Sequence, residues 1–204
     1  MKRIVSLFGA TLLLAPGTAF SFAHLWEIQE IYTSANGSVQ FVELFTDTGT
    51  GEIFMSGQTL SWDINGAPQN TMTFSNATAT DGSGDLSGST LNKSVLIGTA
   101  NLGTLYGIVP DYIIPANFLT RGATNSVIFS ASGDRVNLAN LPTDGIMSLN
   151  GLVHDPNNTA INSQATPTNF AGQTVTIPEP GTAALIAFGS VLSGFARRRR
   201  SGVH

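Results

Sequence analysis

Residues 25–33 read L-W-E-I-Q-E-I-Y-T and residues 39–45 read V-Q-F-V-E-L-F, with Asn36-Gly37 between them. The first run alternates in the manner of a strand, with Trp26, Ile28 and Tyr32 on one face. In the second run Val39, Phe41 and Phe45 alternate with Gln40, Val42 and Leu44, so both faces are largely apolar and Glu43 is the odd residue out. A strand covered on both faces belongs inside a layered β structure. Asn36-Gly37 reads as a type I′ turn pair that joins the two runs as a hairpin.

Outward from this hairpin the same grammar continues. Further candidate strands are 52–55, 59–64, 71–74, 94–99, 126–130, 135–138, 145–149 and 174–177. Asn65-Gly66, Asp81-Gly82, Ser132-Gly133 and Asp144-Gly145 mark the breaks. Short strands at roughly 8–12-residue spacing predict an all-β fold, an antiparallel β-sandwich. Residues 79–91, rich in Gly, Ser and Asp, read as an exposed loop, and 154–171 as a long irregular return. The sequons at Asn36, Asn76, Asn92 and Asn157 fall where exposed loops are expected.

The two ends of the chain read differently. Lys2 and Arg3 precede an apolar run, Ile4–Leu14, that is broken by Pro16 and Gly17. Ser21-Phe22-Ala23 then supplies small residues at the −3 and −1 positions of a secretory cleavage site, which predicts a cut between Ala23 and His24. At the other end, Pro178-Glu179-Pro180 is followed by an uncharged run, Gly181–Ala196, and then by Arg197, Arg198, Arg199 and Arg200. As a helix, that run would span ~24 Å, a little short of the ~30 Å hydrocarbon core. The arginines can snorkel and hold the cytoplasmic side. The reading is therefore a signal peptide (1–23), an exported domain (24–176) and a tail (177–204) with a transmembrane helix at 181–196.

The order Pro-Glu-Pro, apolar helix, arginine cluster resembles the PEP-CTERM tail of bacterial exosortase substrates. That resemblance implies a Gram-negative producer of exopolysaccharide. It also implies signal peptidase and exosortase as processing partners, a transient stay in the inner membrane, and release to the cell surface or the extracellular space. The body also resembles a family: L-W-E-I-Q-E-I-Y, Q-F-V-E-L-F and S-G-Q-T-L-S-W are similar to the opening of a lamin-tail-like domain, an immunoglobulin-like β-sandwich. Glu30, Phe41, Glu43, Gly57, Leu60 and Trp62 fall where that pattern places them. P-D-Y-I-I-P (110–115), L-P-T-D-G (141–145) and P-T-N-F-A-G-Q-T (167–174) resemble segments of a group of exported bacterial proteins, and that likeness carries no catalytic assignment.

Composition narrows the chemistry. Residues 24–178 contain three basic and twelve acidic residues, a net of −9, while the whole chain carries −4. Nucleic acid needs a cationic footprint and is excluded as a partner. The chain has no cysteine, so thiol nucleophiles and cysteine metal sites are excluded and the exported domain has to stand on its core.

Four constellations remain as candidates. A mature N-terminal His24, paired with His154, has the donor set of a copper brace in an oxidase. Asp81 and Asp85, in D-G-S-G-D, alternate oxygen donors as calcium loops do. Glu27, Glu30 and Glu43 supply the residue type of a glycosidase acid pair, but they read first as hydrogen-bonded strand residues. Trp26, Trp62, Tyr106 and Tyr112 are the candidates for a sugar-stacking platform, against a core role. The resulting expectation is a non-enzymatic surface or matrix protein with a structural or adhesive role and no cofactor. A glycan- or calcium-binding module is the alternative, with exopolysaccharide as its partner class, and a copper-dependent or hydrolytic enzyme is the remote one.

Overall fold

The computed structural model describes residues 23–75, 84–153 and 161–178. The signal-peptide region, Asp81, His154, the sequons at Asn76 and Asn157, and the tail from Glu179 onward, Pro180 and Arg197–Arg200 included, lie outside these residues.

Ten strands form two sheets. The first has six strands in the order β10-β9-β1-β2-β5-β6: β1 (Glu27–Thr33), β2 (Gln40–Thr46), β5 (Lys93–Gly98), β6 (Tyr112–Ile113), β9 (Met147–Asn150) and β10 (Ile161–Gln164). The second has four in the order β4-β3-β7-β8: β3 (Thr59–Ile64), β4 (Ala67–Thr73), β7 (Asn125–Phe129) and β8 (Arg135–Asn137). All pairings are antiparallel except β5 with β6. A parallel pair needs a crossover, and here it contains the one short helix among the described residues, α1 (Asn101–Tyr106).

The main core lies between the sheets. Ile28, Ile31, Val42, Leu44, Val95, Ile97 and Leu149 of the first sheet meet Leu60, Val127, Phe129 and Val136 of the second, and Trp26 and Phe74 are also fully buried there. Phe74 sets its ring edge-on to Tyr112 at 4.7 Å and to Phe129 at 5.6 Å, the arrangement favoured by aromatic quadrupoles. A second cluster covers the outer face of the six-stranded sheet and contains Tyr32, Val39, Phe41, Leu96, Leu102, Ile108, Ala165 and Ile177. β2 and β5 are thus buried on both faces, which is why Phe41 and Val42, and Val95, Leu96 and Ile97, are apolar in succession.

β1 departs from simple alternation. Its register with β2 shifts between Ile28 and Glu30, leaving Gln29 as a bulge. The extra residue turns the strand over. Trp26, Ile28 and Ile31 enter the main core, while Glu30 and Tyr32 face outward, so Trp26, Ile28 and Tyr32 do not share a face as expected.

The turn assignment also changes. Only Gly37 (φ 66°) is left-handed in the β1–β2 connection, a longer loop in which Ser34 O accepts from Gly37 N and Val39 O from Ser34 N. The type I′ pair is instead Asn65-Gly66 (φ 51° and 79°), which links β3 to β4 in two residues. Residues 52–55 form no named strand; Glu52 and Met55 pack there as irregular, buried chain. The return at 154–171 contains β10, whose I-N-S-Q sequence has no apolar alternation because it is an edge strand held to β9 by backbone pairing.

Candidate functional site: a carboxylate row beneath a C-terminal hairpin

After β10 the chain folds back over the outer face of the six-stranded sheet. Residues 165–168 run out, 169–173 turn, and 174–177 return. Thr168 and Thr174 form a bridge, Val175 N donates to Pro167 O, and Ile177 N donates to Ala165 O at 2.9 Å. The turn is closed by Asn169 N to Gln173 O and Gly172 N to Asn169 O. Pro167 has no N–H, so its rung carries a single bond.

The first arm would expose a row of unpaired N–H groups toward the sheet. Three carboxylates satisfy them. Thr166 N donates to Glu30 Oε1 at 2.9 Å, Thr168 N to Glu43 Oε2 at 2.8 Å, and Phe170 N to Asp111 Oδ2 at 2.8 Å. The spacing of two residues is the strand period, so the N–H groups of Thr166, Thr168 and Phe170 each meet one acid. Glu30 and Glu43 are directly opposed on β1 and β2; Asp111 stands just before β6 and also accepts from Leu96 N at 2.8 Å. In effect, side-chain oxygens replace the carbonyls of a missing strand.

All three acids are buried, with Glu30 2% and Glu43 4% exposed. Burial pushes the Glu43 carboxyl up to about 8. The bonds from Ser94 and Thr168 oppose this, while Glu30 and Asp111 add to it. Burial likewise lifts Asp111 to about 6 and raises Glu30, against the bonds each accepts. Burial and the neighbouring carboxylates thus favour the protonated form of Glu43, which can still accept both bonds while relieving the repulsion. Ser94 Oγ to Glu43 and Ser148 Oγ to Glu30, both 2.6 Å, complete the row. With the hairpin as a roof, Glu30 and Glu43 hold its first arm to the sheet.

The other arm is fixed as firmly. Ile177 is fully buried, and its carbonyl accepts from Gln164 Nε2 at 3.1 Å. Pro178 follows at once and lines a cavity of about 310 Å³ with Tyr32, Ser34, Ala35, Asn36, Tyr106, Asp144 and Gly145. Tyr32 Oη donates to Gly145 O at 2.8 Å, and its ring stacks on Phe41 at 5.3 Å.

The other candidates disperse. His24 is exposed, 3.4 Å from the Glu52 carboxylate, and Ala23 is buried in the main core. Asp85 Oδ1 accepts from Ser56 N at 2.7 Å. Among the described residues no three His, Asp or Glu side chains gather as a metal site. Trp26 and Tyr112 are core residues, and Trp62 and Tyr106 pack against different clusters, so the four make no common platform. Sequence reasoning missed Asp111. Its signal was an acid inside the apolar segment P-D-Y-I-I-P, just as Glu43 stood out within β2.

No helix among the described residues is long and apolar enough to cross a membrane. Neither a curated protein nor a solved structure matches the chain. One family does match, over residues 176–200: the PEP-CTERM protein-sorting motif. Thr176 and Ile177 thus belong both to the matched segment and to the folded hairpin. The C-terminal segment is a PEP-CTERM sorting tail, which marks the chain as an exported protein that passes through the membrane and is processed by an exosortase.

Proposed function

We propose that the chain delivers an immunoglobulin-like, lamin-tail-like β-sandwich to the cell surface or extracellular matrix, where it has a structural or adhesive role without catalysis. Signal peptidase cuts between Ala23 and His24, the apolar run at 181–196 holds the domain in the inner membrane, and exosortase frees it at Pro178-Glu179-Pro180. The observation that carries this reading is the continuity of fold and signal. The hairpin that seals the sheet passes into the sorting motif with no linker, so the folded domain is the cargo of the tail. The deep burial of Glu30 and Glu43 under that hairpin supports a structural rather than a hydrolytic use of these acids.

Immunolabelling of intact exosortase-bearing cells tests it. The native chain is expected at the surface or in the matrix, and a Glu179→Ala chain in the inner membrane. Native protein confined to the periplasm would contradict the reading.

A further inference from the structure

The chain length itself sets an upper limit on the distance between the fold and the membrane. Pro178 is in place on the domain, and the apolar run begins three residues later at Gly181. Three residues reach at most ~11 Å when fully extended. The headgroup layer of one leaflet takes up ~5–8 Å of that. No slack comes from upstream, because Ile177 is buried and bonded through both its N–H and its carbonyl. With the tail in the membrane, the face around Pro178 therefore stands within a few ångströms of the headgroups. A helix ~10–12 Å across cannot pass beneath it.

An enzyme that cuts at Pro178-Glu179-Pro180 then has to reach the bond from beside the domain, touching the face where the chain leaves. That face is the concave surface formed by Ser34, Ala35, Asn36, Tyr106 and Asp144 around Pro178. It sets the Tyr106 ring, a residue type enriched at protein interfaces, beside small side chains that leave the chain exit open to a partner. Anionic headgroups fit it poorly, since Asp144 is exposed there and residues 24–178 carry a net −9. We propose that this face is a docking surface for the exosortase, so that recognition extends from the tail to the folded domain. The proposal rests on the sorting reading above and on the tail crossing the membrane at Gly181–Ala196.

The test follows tail release from the full chain, by pulse-chase in membranes containing exosortase. Ala35→Arg and Ala35→Glu place bulk of either charge on an exposed position of the face. Each is expected to slow release by ~10-fold, while Thr71→Arg on the exposed strand β4 leaves the rate unchanged. About twelve Gly/Ser residues inserted between Ile177 and Pro178 add ~20 Å of reach and are expected to make release indifferent to either Ala35 change. Thermal melts of each variant establish that the fold is intact. Ala35 variants released at the unsubstituted rate would overturn the proposal. So would faster release with Arg and slower with Glu, which would mark a headgroup contact. An unsubstituted chain that is never cut would overturn the sorting reading and this proposal with it.

Discussion

Glu43 in the middle of β2 accepts a 2.8 Å hydrogen bond from the backbone N–H of Thr168, 125 residues further along the chain. The bond ties the centre of the six-stranded sheet to the hairpin that precedes the sorting signal. Glu43→Ala would leave both that N–H and the Ser94 hydroxyl without their acceptor and open a small void. Chemical denaturation is expected to show a loss of about 2–4 kcal/mol.

The pH dependence of stability follows from the same row. Glu43 titrates near 8 in the folded domain against an ordinary 4.5, and Asp111 near 6 against 3.8. The folded state binds more protons than the unfolded state between these values, so stability falls as pH rises through roughly 4 to 8. Melting temperatures are expected to be higher at pH 5 than at pH 8.5. Glu43→Gln, which is uncharged throughout, is expected to flatten that slope.

Tyr32→Phe keeps the stack on Phe41 and removes the bond from the hydroxyl to Gly145 O. A loss of about 1 kcal/mol is expected in equilibrium unfolding. A Tyr32→Ala chain, which also loses its ring from the outer cluster, is expected to lose about 3–5 kcal/mol.

Gly37 is constrained twice. Its φ of 66° favours glycine, and an added Cβ would collide with the Asn117 side chain. Gly37→Ala is expected to cost at least ~1 kcal/mol, whereas Gly133→Ala, with open space around it, is expected to cost only the strain of its φ.

The sheet-forming content of the sequence was legible wherever burial imposed a pattern. The run at 59–64 is β3 to the residue, and the doubly apolar 39–45 is the central strand β2. Reading failed where the backbone alone decided. The bulge at Gln29 leaves no mark on an alternating sequence, yet it reverses the side on which Tyr32 lies. β10 pairs through backbone bonds and shows only I-N-S-Q. The candidate site was half visible: an acid inside an apolar strand announces a buried partner, but not which one. Glu30, Glu43 and Asp111 acquire a common role only when Thr166, Thr168 and Phe170 are laid across them, a long-range pairing that no local pattern encodes.

The central claim is that a folded sandwich, hairpin included, is released from a sorting tail that begins where the fold ends. The intact mass of the protein recovered from cell envelope and medium tests it most directly. The account predicts a chain that starts at His24, retains Ile177 and lacks Arg197–Arg200. A chain that keeps the four arginines, or one that ends upstream of Ile177, would contradict it.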